Sequence, residues 1–564
     1  MLDWKSNYEA FLKKHPSHPT ESLSSTDTPA GMDSEPRQLE ADLDDNLSSI
    51  QNRMRNSTDL VVRRVRIMSI HSAALLFLSS LTDSKLIQEG VVAPLQAPPL
   101  AFEPGREGDP LRQVDLFDLV YQERVHANLG RRSSEWNVLL DQLMKGQTLL
   151  FIDGHAEAVT FDTRLVEKRS IEQPQTEQVI RGSRDGFIEQ LETNISLIRY
   201  RLQSADLVIE TGELGARTKS KTAVCYIAGI ANPELVSEVM RRLSKIDIDG
   251  IIDAGYIEQF IEDQPISPFP QIQNTERADK TVAALLEGRV AILVDGSSFA
   301  LIVPSLFDQY FQTIDDYSER FMIASLLRFV RLIALLFSVF FPSLYVSVIS
   351  YNPELLPTDF AVAISGGRAG VPFPAMLEVL IMEASMEILR EATIRLPQMI
   401  GGALSIVGVL VIGQAAVSAG LSSPITVVIV ALTTIGSFAT PAYNAAIAMR
   451  MLRFPLIVLA GLFGLYGVVL GSIFIINHML YLESFGVPFL QSILAKKRAG
   501  FTDTLIRAPL WWMGKRPSYL HALDDTRRAE GTFQANIDKI FDPEGKADAK
   551  SPENQHDSAG HRHQ

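Results

Sequence analysis

LPQMIGGALSIVGVLVIGQAAVSAGLSSPITVVIVALTTIGSFATPAYNAAIAM, residues 396–449, contains no charged side chain. Two further charge-free stretches flank it, LIALLFSVFFPSLYVSVISYN (332–352) and FPLIVLAGLFGLYGVVLGSIFIINHMLYL (454–482). A helix that crosses a bilayer needs about 20 predominantly apolar residues, because lipid offers no partner to an exposed peptide group. Each stretch meets that length, and no soluble core could absorb all three. The chain therefore reads as an integral membrane protein whose spans are confined to residues 321–495.

The remainder is hydrophilic, and the mean hydropathy of +0.10 averages two unlike halves. Net charge is −14, with much of the acidity before residue 330 and in the tails. That excludes the basic footprint a nucleic-acid partner requires. One cysteine, Cys225, allows no internal disulfide and no cysteine cluster for zinc. MLDWKSNYEAFLKKHP at the start has no apolar run after its charges, so no signal peptide is expected and insertion should begin at the first internal span.

Residues 1–60 and 525–564 are rich in small and charged residues and read as disordered tails. Between the first tail and the apolar stretches, strand-like and helix-like segments alternate, the pattern of an α/β region. KGQTLLFIDG (145–154) and EGRVAILVDG (287–296) each run a strand into an Asp-Gly turn and then into a second apolar strand, 158–161 and 299–303. Two β-hairpins are expected. Upstream of each, Ala73–Leu95 and Ala223–Ile246 share an apolar strand, a polar break and an amphipathic helix. The chain is thus expected to hold two similar α/β subdomains, with cores at 61–165 and 220–305 joined by Glu167–Glu210. In domain terms these are 61–210 and 211–320, then a helical transmembrane domain of four to five spans at 321–495, a juxtamembrane segment at 496–524 and the tail at 525–564.

EQVIRGSRDGF (177–187), TNISLIRYR (193–201), IDIDGIIDAGY (246–256), FPQIQNTERADK (269–280) and GRVAILVDG (288–296) precede the apolar stretches in that order. IRLPQMIGGALSIVGVLVIGQAAVSAGLS (394–422) and SFGVPF (484–489) lie within and after them. The arrangement strongly resembles the A subunits of the GerA-type germinant receptors of bacterial endospores, a family that also includes related spore membrane proteins not tied to one nutrient receptor. The resemblance covers residues 61–515. It implies a subunit of the spore inner membrane that works with a transporter-like B subunit and a lipoprotein C subunit. It further implies self-association, as a homo-oligomer expected to be a pentamer, into a nutrient-gated channel for monovalent cations. Ala278 stands where the family has the proline of TERPDK, Ser297–Ser298 replace a Thr-Pro turn, and Met399–Gly402 replace a Pro-Ile-Gly-Gln run.

PAMLEVLIMEASMEILREATIR (374–395) is the most charged of the membrane segments. On a helix Glu383, Glu387 and Glu391 fall at i, i+4 spacing on one face; Arg390 can reach Glu387, Arg395 can reach Glu391, and Glu383 has no counter-ion on its own helix. An ionisable group at membrane depth costs at least about 2.5–3.5 kcal/mol and faces water or a partner. Either this helix lines a pore with a carboxylate ring that concentrates cations, or it lies in the interface with a solvated Glu/Arg face. Gly408 and Gly413 in the middle stretch, and Gly464, Gly467 and Gly471 in the last, allow close helix approach, within a subunit or at a seam between subunits. Pro424 and Pro441 bound a span. Arg320, Arg328 and Arg331, and Lys496–Arg498, place the soluble region and the C-terminus on the cytoplasmic side. Arg450 and Arg453 prefer that side too, yet one span between them and Lys496 cannot satisfy both.

Catalysis finds no motif. SGGRAG (365–370) lacks the Gly-Lys-Ser/Thr end of a phosphate loop, and neither HExxH nor G-x-S-x-G occurs, so no enzyme activity, cofactor or metal is expected. His155 reads as a turn residue and RGSR (181–184) as a structural loop or an anion holder. His478 reads as a hydrogen-bonded packing residue or a proton relay. The membrane region shows no internal repeat of the kind secondary transporters carry. A channel-forming receptor subunit is the leading reading; an accessory spore membrane channel or scaffold, or a transporter subunit, is the alternative.

Overall fold

The computed structural model describes residues 38–68, 70–97, 117, 120, 125, 128–165, 173–395, 411–494, 503–504 and 506–527. Within them one strand plan is used twice. Helix α1 (Leu43–Arg53) precedes β1 (Leu60–Ile67), β2 (His71–Leu78), β3 (Asn128–Ser133), α2 (Trp136–Met144), β4 (Thr148–Ile152) and β5 (Ala158–Asp162), with the sheet order β1-β2-β4-β5-β3. Helix α3 (Leu191–Arg201) precedes β6 (Leu207–Leu214), β7 (Ser220–Ile227), α4 (Pro233–Ser244), α5 (Ala254–Ile261), β8 (Gln273–Thr275), α6 (Ala278–Glu287), β9 (Val290–Val294) and β10 (Ala300–Val303), with the order β6-β7-β9-β10-β8. Both expected hairpins form, Thr148 pairing with Phe161 and Val290 with Val303. Their turn glycines, Gly154 and Gly296, have φ of +82° and +89°, values that a side chain would oppose.

Helices cover both faces of each sheet. In the first unit α1 and α2 pack Leu43, Leu47, Ile50, Leu139 and Leu143 on Ala74, Leu76 and Leu149, while Ile87, Val91 and Leu95 close the other face. In the second, α3 and α6 cover one face and α4 and α5 the other. Successive strand residues point to opposite faces, so a sheet covered twice needs apolar side chains at consecutive positions. Thr148–Ile152 and Val290–Val294 are buried at every position.

Two expected boundaries move. Residues 38–60, assigned to a disordered tail, contain α1, whose acidic surface conceals a stripe of Leu43, Leu47, Ile50 and Met54 and whose N-terminus is capped by Asp42 accepting from Asp44 N (2.8 Å). The connector Glu167–Glu210 contains α3, and the boundary at 210 falls inside β6. Both elements belong to the second unit, where α3 takes the place that α1 takes in the first. The tails outside 38–527, with Gly401, Gly402, Gly408 and Lys496–Arg498, lie outside the described residues.

After the α/β units come α7 (Phe321–Tyr351), α8 (Thr358–Arg368), α9 (Ala375–Ile394), α10 (Pro424–Ser437) and α11 (Tyr443–Tyr481). Helices α7 and α11 are long and apolar enough to cross a membrane by length and composition, and α10 is a shorter apolar helix. The backbone of α11 breaks at Gly464, with φ +61° and ψ −145°. Residues 456 and 471 of a straight helix would lie about 22 Å apart, yet a methyl group on Gly471 would meet Leu456 Cδ2 at 2.6 Å. Val468 packs with Ile457 and Ala460, and Met479 with Leu456 and Ala445. The segment is a helical hairpin. At its tip the Tyr351 hydroxyl donates to the carbonyls of Gly461 (2.7 Å) and Leu462 (3.1 Å), which the break deprives of helical donors.

Both ends of the hairpin meet the second α/β unit. Tyr443 and Asn444 share a cleft with Asp253, Gly255 and Glu258. His478 Nε2 lies 2.9 Å from Ser267 Oγ. Phe485, just past the hairpin, enters the core of the second unit beneath the Arg242 guanidinium (4.1 Å). The reading of 454–482 as one uninterrupted span is therefore corrected: the reversal at Gly464 brings Arg450, Arg453 and the departing chain to the same end. The segment 506–527 then runs back over the α/β region, with Leu523 N donating to Ile230 O (3.0 Å) and Arg516 Nε to Leu286 O (2.8 Å).

The two α/β units are joined by a buried ion pair. Arg199 on α3, fully buried, grips Asp59 beside β1 with two parallel bonds, Nε–Oδ2 2.8 Å and Nη2–Oδ1 2.9 Å. Burial alone would raise the Asp59 pKa, but the Arg199 guanidinium, with the hydroxyls of Ser57 and Ser80, holds it below the usual aspartate range. Since the folded value lies below the unfolded one, the contribution to stability is full above the ordinary aspartate range and disappears as pH falls through the folded value. Asp59→Asn should cost about 3–5 kcal/mol at neutral pH, because it leaves a buried guanidinium without its counter-charge. It should also flatten the acid limb of the stability profile. Thermal unfolding of both proteins across pH 3–7 checks this, and superimposable profiles would refute the coupling.

Candidate functional site

Helix α9 carries the charges that the sequence singled out, and the structure distributes them by depth. Glu383 is 4% exposed. Its Oε2 pairs with Arg453 Nη1 on the first arm of α11, and its Oε1 accepts from Thr433 Oγ1 on α10 at 3.1 Å. Three helices thus meet at one carboxylate. Its counter-ion comes from 70 residues downstream, beyond any i, i+4 rule. Glu387, one turn on, has a side chain 43% exposed; it accepts from Arg390 Nη1 (2.7 Å) and lies 3.5 Å from Arg450 Nε. Glu391 is 61% exposed and paired with Arg395 at 2.9 Å. The shared face therefore runs from interior to surface toward the α/β end.

One buried carboxylate escaped the sequence reading. Glu378, five residues before Glu383 and off its face, is completely buried and accepts from Ser423 N at 2.6 Å, with Arg368 Nε of α8 at 3.4 Å. It sits at the N-terminus of α10, where unsatisfied amides and the helix dipole favour negative charge. The only sequence signal was a glutamate inside an otherwise apolar run preceding Ser423-Pro424, itself a helix start.

The glycines divide in a similar way. Gly467 lies against the carbonyl oxygen of Leu459, and Gly471 against Leu456 and Leu459, all in the opposing arm of the same hairpin. Gly464 makes the turn against the Tyr351 ring, and Gly413 faces Val427 Cγ1 at 3.2 Å. Gly408 is outside the described residues. His155 is half-buried, with its ring edge-on to Phe117 (4.9 Å) and Nδ1 3.2 Å from the Asp153 carbonyl oxygen. The RGSR loop is held by Asp315, which accepts from Arg181 N (3.0 Å), and by Arg277, which donates to Ser183 O (2.9 Å).

At the base of α7, Arg328 and Arg331, read from the sequence as orienting charges, are committed to ion pairs. Arg328 is 1% exposed and donates to Asp316 (2.9 Å) and Asp503 (2.9 Å); Arg331 donates to Asp316 (3.0 Å). Burial raises the Asp316 pKa, but the two guanidiniums outweigh it and hold it low. Burial of Asp503 wins over Arg328 and Tyr317 and pushes it up to about 6. The helix is thereby tied to the α/β region on one side and to the C-terminal segment on the other.

Glu383→Gln should destabilise the protein by about 3–5 kcal/mol by leaving Arg453 buried without its counter-charge, whereas Glu383→Gln with Arg453→Met should recover most of that loss. Thermal unfolding in detergent, read as a double-mutant cycle, is the measurement. Additive effects would show that the two side chains do not act as a pair.

Residues 48–519 match the family described as Bacillus/Clostridium GerA spore germination protein. The chain is 40% identical to spore germination protein KA of Bacillus subtilis (strain 168), over 86% of its own length and 88% of that protein's. It is 38% identical to the uncharacterized membrane protein YfkQ of the same organism, over 86% and 92% of the two lengths. Among solved structures, the N-terminal domain of the A subunit of the Bacillus megaterium spore germinant receptor GerK3 is 33% identical, with a TM-score of 0.36, over 48% of this chain and 98% of that one. The match spans both α/β units, the apolar helices and the segment that returns from them, and the chain belongs to the GerA family of spore germination proteins.

Proposed function

We propose that this protein is the A subunit of a nutrient receptor, and that copies of it self-associate, as a pentamer, into a ligand-gated channel for monovalent cations in the spore inner membrane. A transporter-like B subunit and a lipoprotein C subunit are its proposed partners, and the α/β units face the cytoplasm. The observation that carries the reading is the continuous family match from 48 to 519. Lipid and neighbouring copies account for the outward apolar side chains of α7 and α11, among them Leu326, Phe329, Val469 and Phe474, each more than half exposed. A water-soluble monomer rarely carries so extended an apolar surface.

In this reading Glu387 and Glu391, which keep substantial exposure, line the cation path, and Glu383 positions α9 against α10 and α11 through Arg453. Gly413 and the hairpin glycines are packing residues. An accessory channel or scaffold not tied to one nutrient receptor is the second reading. It is favoured by the pairing of Glu383 with Arg453, since the most deeply placed carboxylate of the expected ring is already spent on an internal partner.

Purified protein reconstituted in liposomes should release potassium, and Glu387→Gln with Glu391→Gln should reduce that flux without reducing the amount inserted or crosslinked into oligomers. Inserted, oligomeric protein that passes no cation would overturn the channel and favour the scaffold, leaving family membership intact.

A further inference from the structure

A cavity of about 580 Å³ lies between the second α/β unit and the adjoining ends of α9, α10 and α11. Its α/β wall carries Glu177, Arg277 and Lys280, and its helical wall Arg390, Arg450, Thr434 and Thr440. On the α/β wall the charges are matched, Lys280 with Glu177 and Arg277 with Asp279 (2.7 Å). On the helical wall they are not. Arg390 and Arg450 share the single carboxylate of Glu387, and Glu383 is already taken by Arg453.

Arg450 is 6% exposed. Its contact with Glu387, at 3.5 Å, is an ion pair without hydrogen-bond geometry, and Nε has no hydrogen-bond partner among the described residues. The hydroxyls of Thr434 and Thr440, 9% and 7% exposed, also lack partners there, as does Arg390 Nε. Buried polar groups are ordinarily satisfied. Water could satisfy the hydroxyls and accept from the guanidinium, but it would leave the buried surplus charge of two arginines on one carboxylate, which calls for an anion. Four donors without partners among the described residues, two of them on guanidinium groups, line a space much larger than a water molecule needs.

We propose that this cavity is a binding site for a phosphate group, with Arg450 as its principal ligand and Thr434, Thr440 and Arg390 as further donors. The phosphate is that of an anionic phospholipid headgroup or of a free anion. A headgroup suits a basic pocket at helix ends beside a soluble region; that source rests on the membrane reading proposed above, whereas the free-anion source does not.

The test uses the full-length protein. In detergent, inorganic phosphate is titrated against chloride at matched ionic strength, and the melting temperature is followed. In nanodiscs, phosphatidylcholine alone is compared with phosphatidylcholine plus phosphatidylglycerol. Ligand that binds the folded state raises the melting temperature with concentration. A saturable rise with phosphate assigns the site to a free anion, and a rise confined to phosphatidylglycerol assigns it to a headgroup; either supports the site. Arg450→Gln should weaken apparent binding about tenfold or more, the scale of a lost charge-assisted hydrogen bond. Glu387→Gln should tighten it by removing the competing carboxylate. If Arg450→Gln does not fold, Thr434→Val with Thr440→Val, which keeps the charge, should still weaken binding. No rise beyond chloride in detergent together with none from phosphatidylglycerol, or the same rise in the wild type and the folded variants, would overturn the proposal.

Discussion

A guanidinium taken out of water must find acceptors, and the architecture of this chain is organised around where its buried arginines find them. Arg199 joins the two α/β units through Asp59. Arg328 fixes the base of α7 between Asp316 and Asp503. Arg453 draws α9 onto α11 through Glu383. In each case at least one partner lies 70 residues or more away in sequence, so the set of bonds is complete only when the tertiary fold is. Such pairs add less net stability than their Coulomb attraction suggests, because both charges are desolvated, but breaking one leaves a charge stranded. They penalise wrong arrangements more than they reward the right one.

The sequence made the local grammar legible. Asp153-Gly154 and Asp295-Gly296 announced hairpins because positive φ at a turn has few chemical solutions, and the duplication showed because each hairpin follows the same strand-break-helix unit. What it hid was mostly non-local. The stripe of Leu43, Leu47, Ile50 and Met54 was masked by the acidic residues around it, so α1 was counted with a tail. Glu383 looked unpaired because only its own helix could be surveyed for partners. The reversal at Gly464 was invisible to hydropathy, which registers that a residue is apolar and not which way the chain runs. Its one trace was the conflict between Arg450 and Lys496 over which end they occupy. The reversal removes the single crossing on which that conflict rested.

Membership of the GerA family and the charge layout of α9 bear on different questions. The family says in which process the chain takes part, and its match extends through every element that the buried pairs connect. The layout says how the helices are held. Its surplus guanidinium on the wall facing the α/β region is a feature that family membership alone would not have suggested.

The entry of Phe485 into the core of the second α/β unit constrains the order of biosynthesis. The strands of that unit leave the ribosome before any apolar helix is made, yet Phe485 and the Ser484 hydroxyl that bonds Gln271 O (2.7 Å) arrive only after α11 has turned back. Those two contacts are therefore the last of the unit's contacts to become available, and they are made by a chain whose last hairpin has reversed. The last contacts of the second unit's core are in this way supplied by connectivity, from a segment that lies beyond every apolar helix.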